Sequence, residues 1–285
     1  YGKLWMSVES QDNLSENEID LVSNASRLGV KGSMDLKDSL EVLYQVEYEI
    51  DLADGKADEL NNKILKQRNT FIGLKGIYGT LLFGTHDTTF KRSHSKIDIF
   101  NDLAGDIKNI LHGENRMRDF IGYTTPELNG RLSATFNAMK GTDGSENNSL
   151  LDSTSFSLNY KTKLLHAALS IDSEVKGYDS SRVSISFPFN KTNLSFIYQD
   201  TKNLSTGIKE RGHVVSVSRR VGDGGNLKFQ IAKSDMKINS GRQTSFGYDY
   251  KLSQEVKIFF FYTDLTGKDN TKEKEIRAIG FEYKF

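Results

Sequence analysis

The chain contains no cysteine among its 285 residues, so no disulfide, thiolate metal site or thiol nucleophile can be built from it. Proline is nearly absent too, with only Pro126 and Pro188 against 24 glycines. Proline removes a donor from a hydrogen-bonded ladder, so its scarcity suits long strands. No window approaches the eighteen or so continuous apolar residues of a membrane helix, which excludes helical spans. Neither sign of charge is in excess. Lys plus Arg and Asp plus Glu both number 38, so there is no global field to draw nucleic acid, and any electrostatic function must be local.

Catalytic signatures are missing as well. The histidines at 86, 94, 112, 166 and 213 fall in no HxH or HExxH spacing, which argues against a zinc centre. Glu16, Glu18 and Asp20 lack the Asp-x-Asx-x-Asx-Gly pattern of a calcium loop. No Gly-x-Ser-x-Gly elbow or phosphate-binding glycine loop occurs, so neither an enzyme nor a cofactor is expected. A barrel phospholipase would need serine and histidine together on the lipid-facing wall. His166, alternating with Ala167 and Leu169, should instead face inward.

What the chain does have is period-two alternation. At its end Ile279, Phe281, Tyr283 and Phe285 share one face while Gly280, Glu282 and Lys284 share the other. One face prefers hydrocarbon and the other water. The pattern recurs at Leu132, Ala134, Phe136; at Phe156, Leu158, Tyr160; at Leu194, Phe196, Tyr198; and at Val256, Ile258, Phe260, Tyr262. The longest clean run sets Leu40, Val42, Tyr44, Val46, Tyr48 and Ile50 against Glu41, Gln45, Glu47 and Glu49. Carboxylates on one strand face are costly in a packed core and cheap in a water-filled lumen.

Counting segments, including 1–9, 25–35, 68–76, 78–86 and 115–125, gives about sixteen strands of an antiparallel transmembrane β-barrel. A mean hydropathy of -0.51 does not oppose this, because lumen residues dilute the signal. A soluble β-sandwich is the rival fold. Short turns fall near residues 36–38, 76–79, 127–130, 190–191, 222–225 and 252–253. Longer polar stretches lie at 10–24, 51–67, 141–152, 203–210 and 267–275, and this asymmetry of rims suits a barrel. One domain is expected over 1–285. The connection from 87 to about 114 stands apart: it carries Ile97, Ile99, Phe100, Leu103, Ile107, Ile110 and Leu111, and needs a wall to pack on. No basic and apolar leader precedes Tyr1, and Tyr1-Gly2-Lys3-Leu4-Trp5 already reads as a strand, so a processed chain is expected.

Several motifs carry a resemblance. Tyr1-Gly2-Lys3-Leu4, then Ser26-Arg27-Leu28-Gly29-Val30-Lys31-Gly32 with Asp35-Leu36 and Val46-Glu47, resembles the start of Gram-negative general porins. Arg68-Asn69-Thr70-Phe71-Ile72-Gly73-Leu74-Lys75-Gly76, with Tyr78-Gly79-Thr80-Leu81 and Gly84-Thr85-His86-Asp87-Thr88, is similar to that family's fourth and fifth strands. Residues 116–123 with Thr125-Pro126 resemble its sixth. Between about 141 and 270 the likeness is one of pattern.

The resemblance implies a sixteen-stranded, homotrimeric barrel in the bacterial outer membrane, in contact with its lipid, whose third loop folds inward as a constriction. Small hydrophilic solutes and ions would pass by passive diffusion. A solute-specific porin and a plugged structural or adhesion barrel are the alternatives. Loop acids Asp98, Asp102 and Asp106 would face a basic wall of Arg27, Lys31, Arg68, Arg116 and Arg118, although Asp98 could instead cap a helical turn and Asp102 or Asp106 bind backbone amides. His94 and His112 lie in the same loop. Phe281, Tyr283 and Phe285 would form the assembly signal. Where many members carry arginine after the glycine of the fifth strand, this chain has Thr85 and His86, which leaves its ion preference open.

Overall fold

A computed structural model describes residues 1–13, 16–55, 64–141, 149–237, 241–267 and 272–285. Parts of the expected long stretches, at 56–63, 142–148 and 268–271, lie outside the described residues. The strand segments are β1 (Gly2–Asn13), β2 (Glu16–Ser23), β3 (Arg27–Asp35), β4 (Glu41–Ile50), β5 (Leu65–Gln67), β6 (Thr70–Gly76), β7 (Gly79–Asp87), β8 (Arg116–Thr124) and β9 (Leu132–Met139). They continue as β10 (Ser153–Lys161), β11 (His166–Val175), β12 (Tyr178–Phe189), β13 (Thr192–Asn203), β14 (Lys209–Val221), β15 (Gly225–Ser234), β16 (Arg242–Lys251), β17 (Val256–Thr266) and β18 (Lys272–Lys284). Between β7 and β8 lie a short α-helix, α1 (Thr89–Ser93), and a 3-10 turn at Ile107–Asn109.

All segments belong to one antiparallel sheet, and β1 pairs with β18 from Lys3↔Lys284 to Asn13↔Lys274, closing it. Both β2 and β3 pair with β1, and both β5 and β6 pair with β4, so each couple is one interrupted strand. The barrel therefore has sixteen staves, as the alternation led us to expect, and the soluble sandwich is excluded. Closure removes every sheet edge, which a bilayer would not tolerate.

Burial is inverted relative to a soluble protein. Phe196, Phe229, Phe260, Ile279 and Phe281 are exposed on the outside, while Ser7, Ser157, Ser184, Ser195, Ser216 and Ser245 are buried inside. The terminal strand follows its sequence pattern, with Phe281, Tyr283 and Phe285 outward and Glu282 inward. Phe285 closes the seam through its amide and carbonyl, bonded to Gly2 at 3.1 and 2.7 Å.

The rim of long loops differs in one place from expectation. Residues 10–24 read as a polar loop, yet β1 runs to Asn13 and β2 returns from Glu16. Strand ends that rise above the hydrocarbon have water on both faces, so their alternation fades. Among the described residues of this stretch only Ile19 and Leu21, both exposed, still mark the outer side.

A lumen crossed by a docked loop

Residues 88–115, between β7 and β8, fold back into the barrel. Thr88 caps α1, its hydroxyl accepting from Lys91 N at 3.2 Å. The flank then docks on a stripe of small polar side chains that the inward positions of β9 to β16 provide. Thr89 N donates to Asn137 (2.6 Å), Phe90 N to Ser155 (3.0 Å) and Ile99 N to Gln230 (3.2 Å). Ser216 donates to Ile97 O (2.7 Å), and Gln243 Nε2 to Gly105 O (2.6 Å). A loop carrying unpaired backbone groups can lie in a barrel only if the wall answers them.

The loop's apolar residues bury in two clusters. Ile97, Ile107, Ile110 and Leu111 pack with Ile197, Val214, Ala232 and Met236. Phe100 and Leu103 pack with Trp5, Phe259, Phe261, Ile276 and Ala278. The wall is notched to receive them: a Cβ on Gly212 would run into Leu111 Cδ2.

A buried charge network pins the return of the loop. Arg182, fully buried, places Nη1 2.9 Å from Glu114 Oε1 as an ion-pair contact. It also donates to Gln199 Oε1 at 2.7 and 2.9 Å and to His112 O at 3.3 Å, and it stacks over Phe90. His94 Nε2 lies 3.1 Å from the other Glu114 oxygen. Burial alone would raise the Glu114 carboxyl, but the charges of His94 and Arg182 outweigh it and hold it down at about 2.

The three loop aspartates part company. Asp98 accepts from Phe100 N (3.2 Å) and Ile107 N (3.3 Å), and Asp106 from Asp102 N (2.9 Å) and Lys108 N (2.7 Å). These two fold the loop on itself; for them the capping alternative holds, and they do not meet the basic wall. Asp98, buried and beside Asp106 and Glu114, is pushed well above the usual carboxylate range. Asp102 alone projects across the lumen, from a left-handed backbone (φ 65°). Arg27 lies 3.4 Å and Lys3 3.9 Å from its carboxylate. Burial would raise Asp102, yet Arg68, Arg27 and Lys3 together hold it below its ordinary value.

On the opposite wall the staves break where their cations are needed. The gap between β2 and β3 immediately precedes Arg27, and the gap between β5 and β6 holds Arg68 and Asn69. Arg68 reaches Glu47 (2.9 Å) and Glu49 (2.5 Å). Arg116 meets Asp87 at 3.1 Å and Asn69 at 2.8 Å, and Lys91 meets Asp87 at 3.2 Å. Breaks of this kind re-aim side chains.

Two basic residues leave the expected set. The register slips between Gly84 and His86, opposite a left-handed Asp119 (φ 48°). The extra residue breaks the parity of β8, leaving Met117 and Phe120 buried together and Arg118 exposed. Lys31 keeps its inward parity but lies over the Tyr1 ring, 5.1 Å from its centroid, with no ion pair among the described residues. Lys3, Lys91, Arg182 and Glu114 were missed: the first opens a strand, and Arg182 lies in a segment legible only through Val183, Ile185 and Phe187.

Cavities of about 630 and 720 Å³ lie on either side of the loop, and Lys91 and Asn101 line both. Arg92, Lys96, His166, Arg220 and Lys228 line the second, on the side of the short turns. His166 thus faces inward, as its alternation required. Among the described residues no three His, Asp or Glu side chains are arranged to hold a metal.

A closed antiparallel barrel with an apolar outside, polar lumen and inserted loop defines a membrane pore. The Gram-negative porin family profile matches residues 1–270, and the chain belongs to that family. Outer membrane porin protein 32 of Delftia acidovorans is 26% identical over 275 residues, covering 87% of this chain and 76% of that protein. Among solved structures, an anion-selective porin from Comamonas acidovorans superposes with a TM-score of 0.82 at 21% identity, over 100% of this chain and 98% of that one. The Salmonella typhi OmpF complex with daunomycin gives 0.78 at 14%, over 100% and 97%. A trimer form of Vibrio cholerae OmpT gives 0.69 at 13%, over 99% and 98%. The protein is an outer-membrane porin, a water-filled channel for passive diffusion of small hydrophilic solutes and ions, and the solute-specific and plugged readings are not favoured.

Proposed function

We propose that the pore narrows between Asp102 and the wall of Lys3, Arg27, Arg68 and Arg116, and that it passes anions in preference to cations. The observation that carries the preference is the lining of the second cavity, where Lys91, Arg92, Lys96, Arg220 and Lys228 face Asp87, Asp98 and Asp249. Asp98 is spent on loop amides, and Asp87 is shared by two cations. Low-dielectric walls focus such an excess, so a few groups outweigh a neutral total. The Comamonas porin of the same fold is anion-selective, which supports the same preference here. The barrel acts as one domain and a homotrimer, without enzymatic chemistry, and Phe281, Tyr283 and Phe285 serve its assembly.

The test is the zero-current potential of single channels in a salt gradient. An anion-signed potential is expected, moving toward the cation side in Arg68→Ala, which frees Glu47 and Glu49. A cation-signed wild-type potential rejects the preference, and an unmoved potential in the variant removes Arg68 from the narrowing.

A further inference from the structure

Below the docked loop, the inner wall between β8 and β11 holds a smaller recess of about 210 Å³. One transverse row forms its edge. Lys161 pairs with His166, and Lys161 N donates to Arg131 O at 2.8 Å, so Arg131, Lys161 and His166 stand on three adjacent staves at one height. Adjacent strands lie about 4.8 Å apart, which lets the three side chains converge. Their parity is inward, because Asn159 and Lys161 share the face of Ser157, whose hydroxyl meets Thr89 of the loop. Arg92, in α1, lines the recess from the loop side.

Four basic side chains therefore meet here. Among the described residues none of them has a carboxylate within ion-pair distance. Arg92 feels the charge of Asp87, but Lys91 and Arg116 already hold that carboxylate at 3.2 and 3.1 Å. Arg131 and Lys161, set opposite one another, repel. The acid of the recess is Glu127, in the turn between β8 and β9, and among the described residues it too lacks an ion pair. Cations gathered near a carboxylate without pairing to it leave space for a ligand between them.

We propose that this recess binds inorganic phosphate, with Arg92, Arg131 and Lys161 holding its oxygens and Glu127 accepting its remaining proton. Cations that converge from both wall and loop suit a tetrahedral oxyanion, which presents oxygens in every direction. A linear dicarboxylate would need two separated clusters. Size excludes larger phosphate-bearing solutes, since sites for drug-sized molecules begin at about 300 Å³. Glu127 sets the choice among oxyanions. A phosphate dianion keeps one hydroxyl to donate, whereas sulfate has none and meets the carboxylate only as a like charge. Arg92 and His166 also line the larger cavity on the side of the short turns, so the recess opens beside the solute path, and Asp102 lines neither. The site stands whether or not the pore as a whole prefers anions.

The purified protein in detergent at low ionic strength is dialysed to equilibrium against radiolabelled inorganic phosphate, with unlabelled phosphate or sulfate as competitor. Wild type should retain the label, and displacing it should take at least about tenfold more sulfate than phosphate. Arg131→Gln with Lys161→Gln should weaken retention at least about tenfold; both side chains are exposed, so the barrel should still form. If it does not, Arg92→Gln tests the loop side by the same measurement. Glu127→Gln should keep phosphate and lose the margin over sulfate. Arg68→Ala, which addresses the narrowing, should retain phosphate as the wild type does, so that failure of the two readings is distinguishable. No retention by wild type, equal displacement by sulfate, retention unaltered by the basic variants, or loss of retention in Arg68→Ala would each overturn the proposal. A sulfate margin that survives Glu127→Gln would overturn the role given to that carboxylate.

Discussion

The inserted loop has a docked flank and a projecting tip, and the two are held by different physics. The flank, from α1 through Leu111 and back through Glu114, lies against hydroxyls, amides and aliphatic side chains of β9 to β16, with Arg182 buried beneath it. At the tip the backbone is anchored by Phe100 and Leu103, and the Asp102 carboxylate between them meets its partners across water-facing space at 3.4 and 3.9 Å. A buried network is strong only when every member is present, whereas partly exposed pairs contribute little and are screened. The flank therefore fixes where the loop lies, and the tip is free to be tuned for the solutes that pass it.

The largest test of this contrast is Arg182→Ala. It leaves the buried Glu114 carboxylate with His94 alone and takes one donor from His112 O, so it should cost about 3–5 kcal/mol, read as a lower denaturant midpoint in detergent. An effect comparable to that of a surface substitution would show that the network does not hold the flank. A second test uses acid. Because the Glu114 carboxyl is lowered from 4.5 to about 2, its ionised form adds stability above pH 4.5 that is lost as pH falls toward 2. Glu114→Gln should be weaker throughout and lack that slope; a parallel slope in the variant would assign acid sensitivity elsewhere. The smallest effect belongs to Lys31→Ala, which should stay within about 0.5 kcal/mol in stability. It should also leave the zero-current potential unchanged. A clear shift there would return Lys31 to the basic wall.

The barrel was legible because each membrane strand must alternate, and the loop because seven apolar residues in a 28-residue connection had to be buried. What alternation could not show is where alternation fails. Arg118 left its expected face through one left-handed residue, Asp119. Asp98, Asp102 and Asp106, spaced by four, resemble one helical face, but the segment between them turns through a positive φ at Asp102, so two carboxylates satisfy amides and one reaches out. Arg68 was foreseen as an inward residue, but not the strand break that carries it. Lys3 escaped notice because a lysine in a strand otherwise recognised by its apolar face looks like any lumen residue.

Phe100 and Leu103 pack against Trp5 of β1, Phe259 and Phe261 of β17, and Ile276 and Ala278 of β18. Those strands are the two ends of the chain, which meet only when the cylinder shuts. Joining them costs the entropy of closing the long stretch of chain between them, and the backbone pairs of β1 with β18 must overcome it. The apolar pair on the loop, Phe100 and Leu103, spans that join from within, so seating the loop and zipping the seam become one cooperative step. A segment that narrows the path for solutes thereby also acts as the inner clasp of the finished ring.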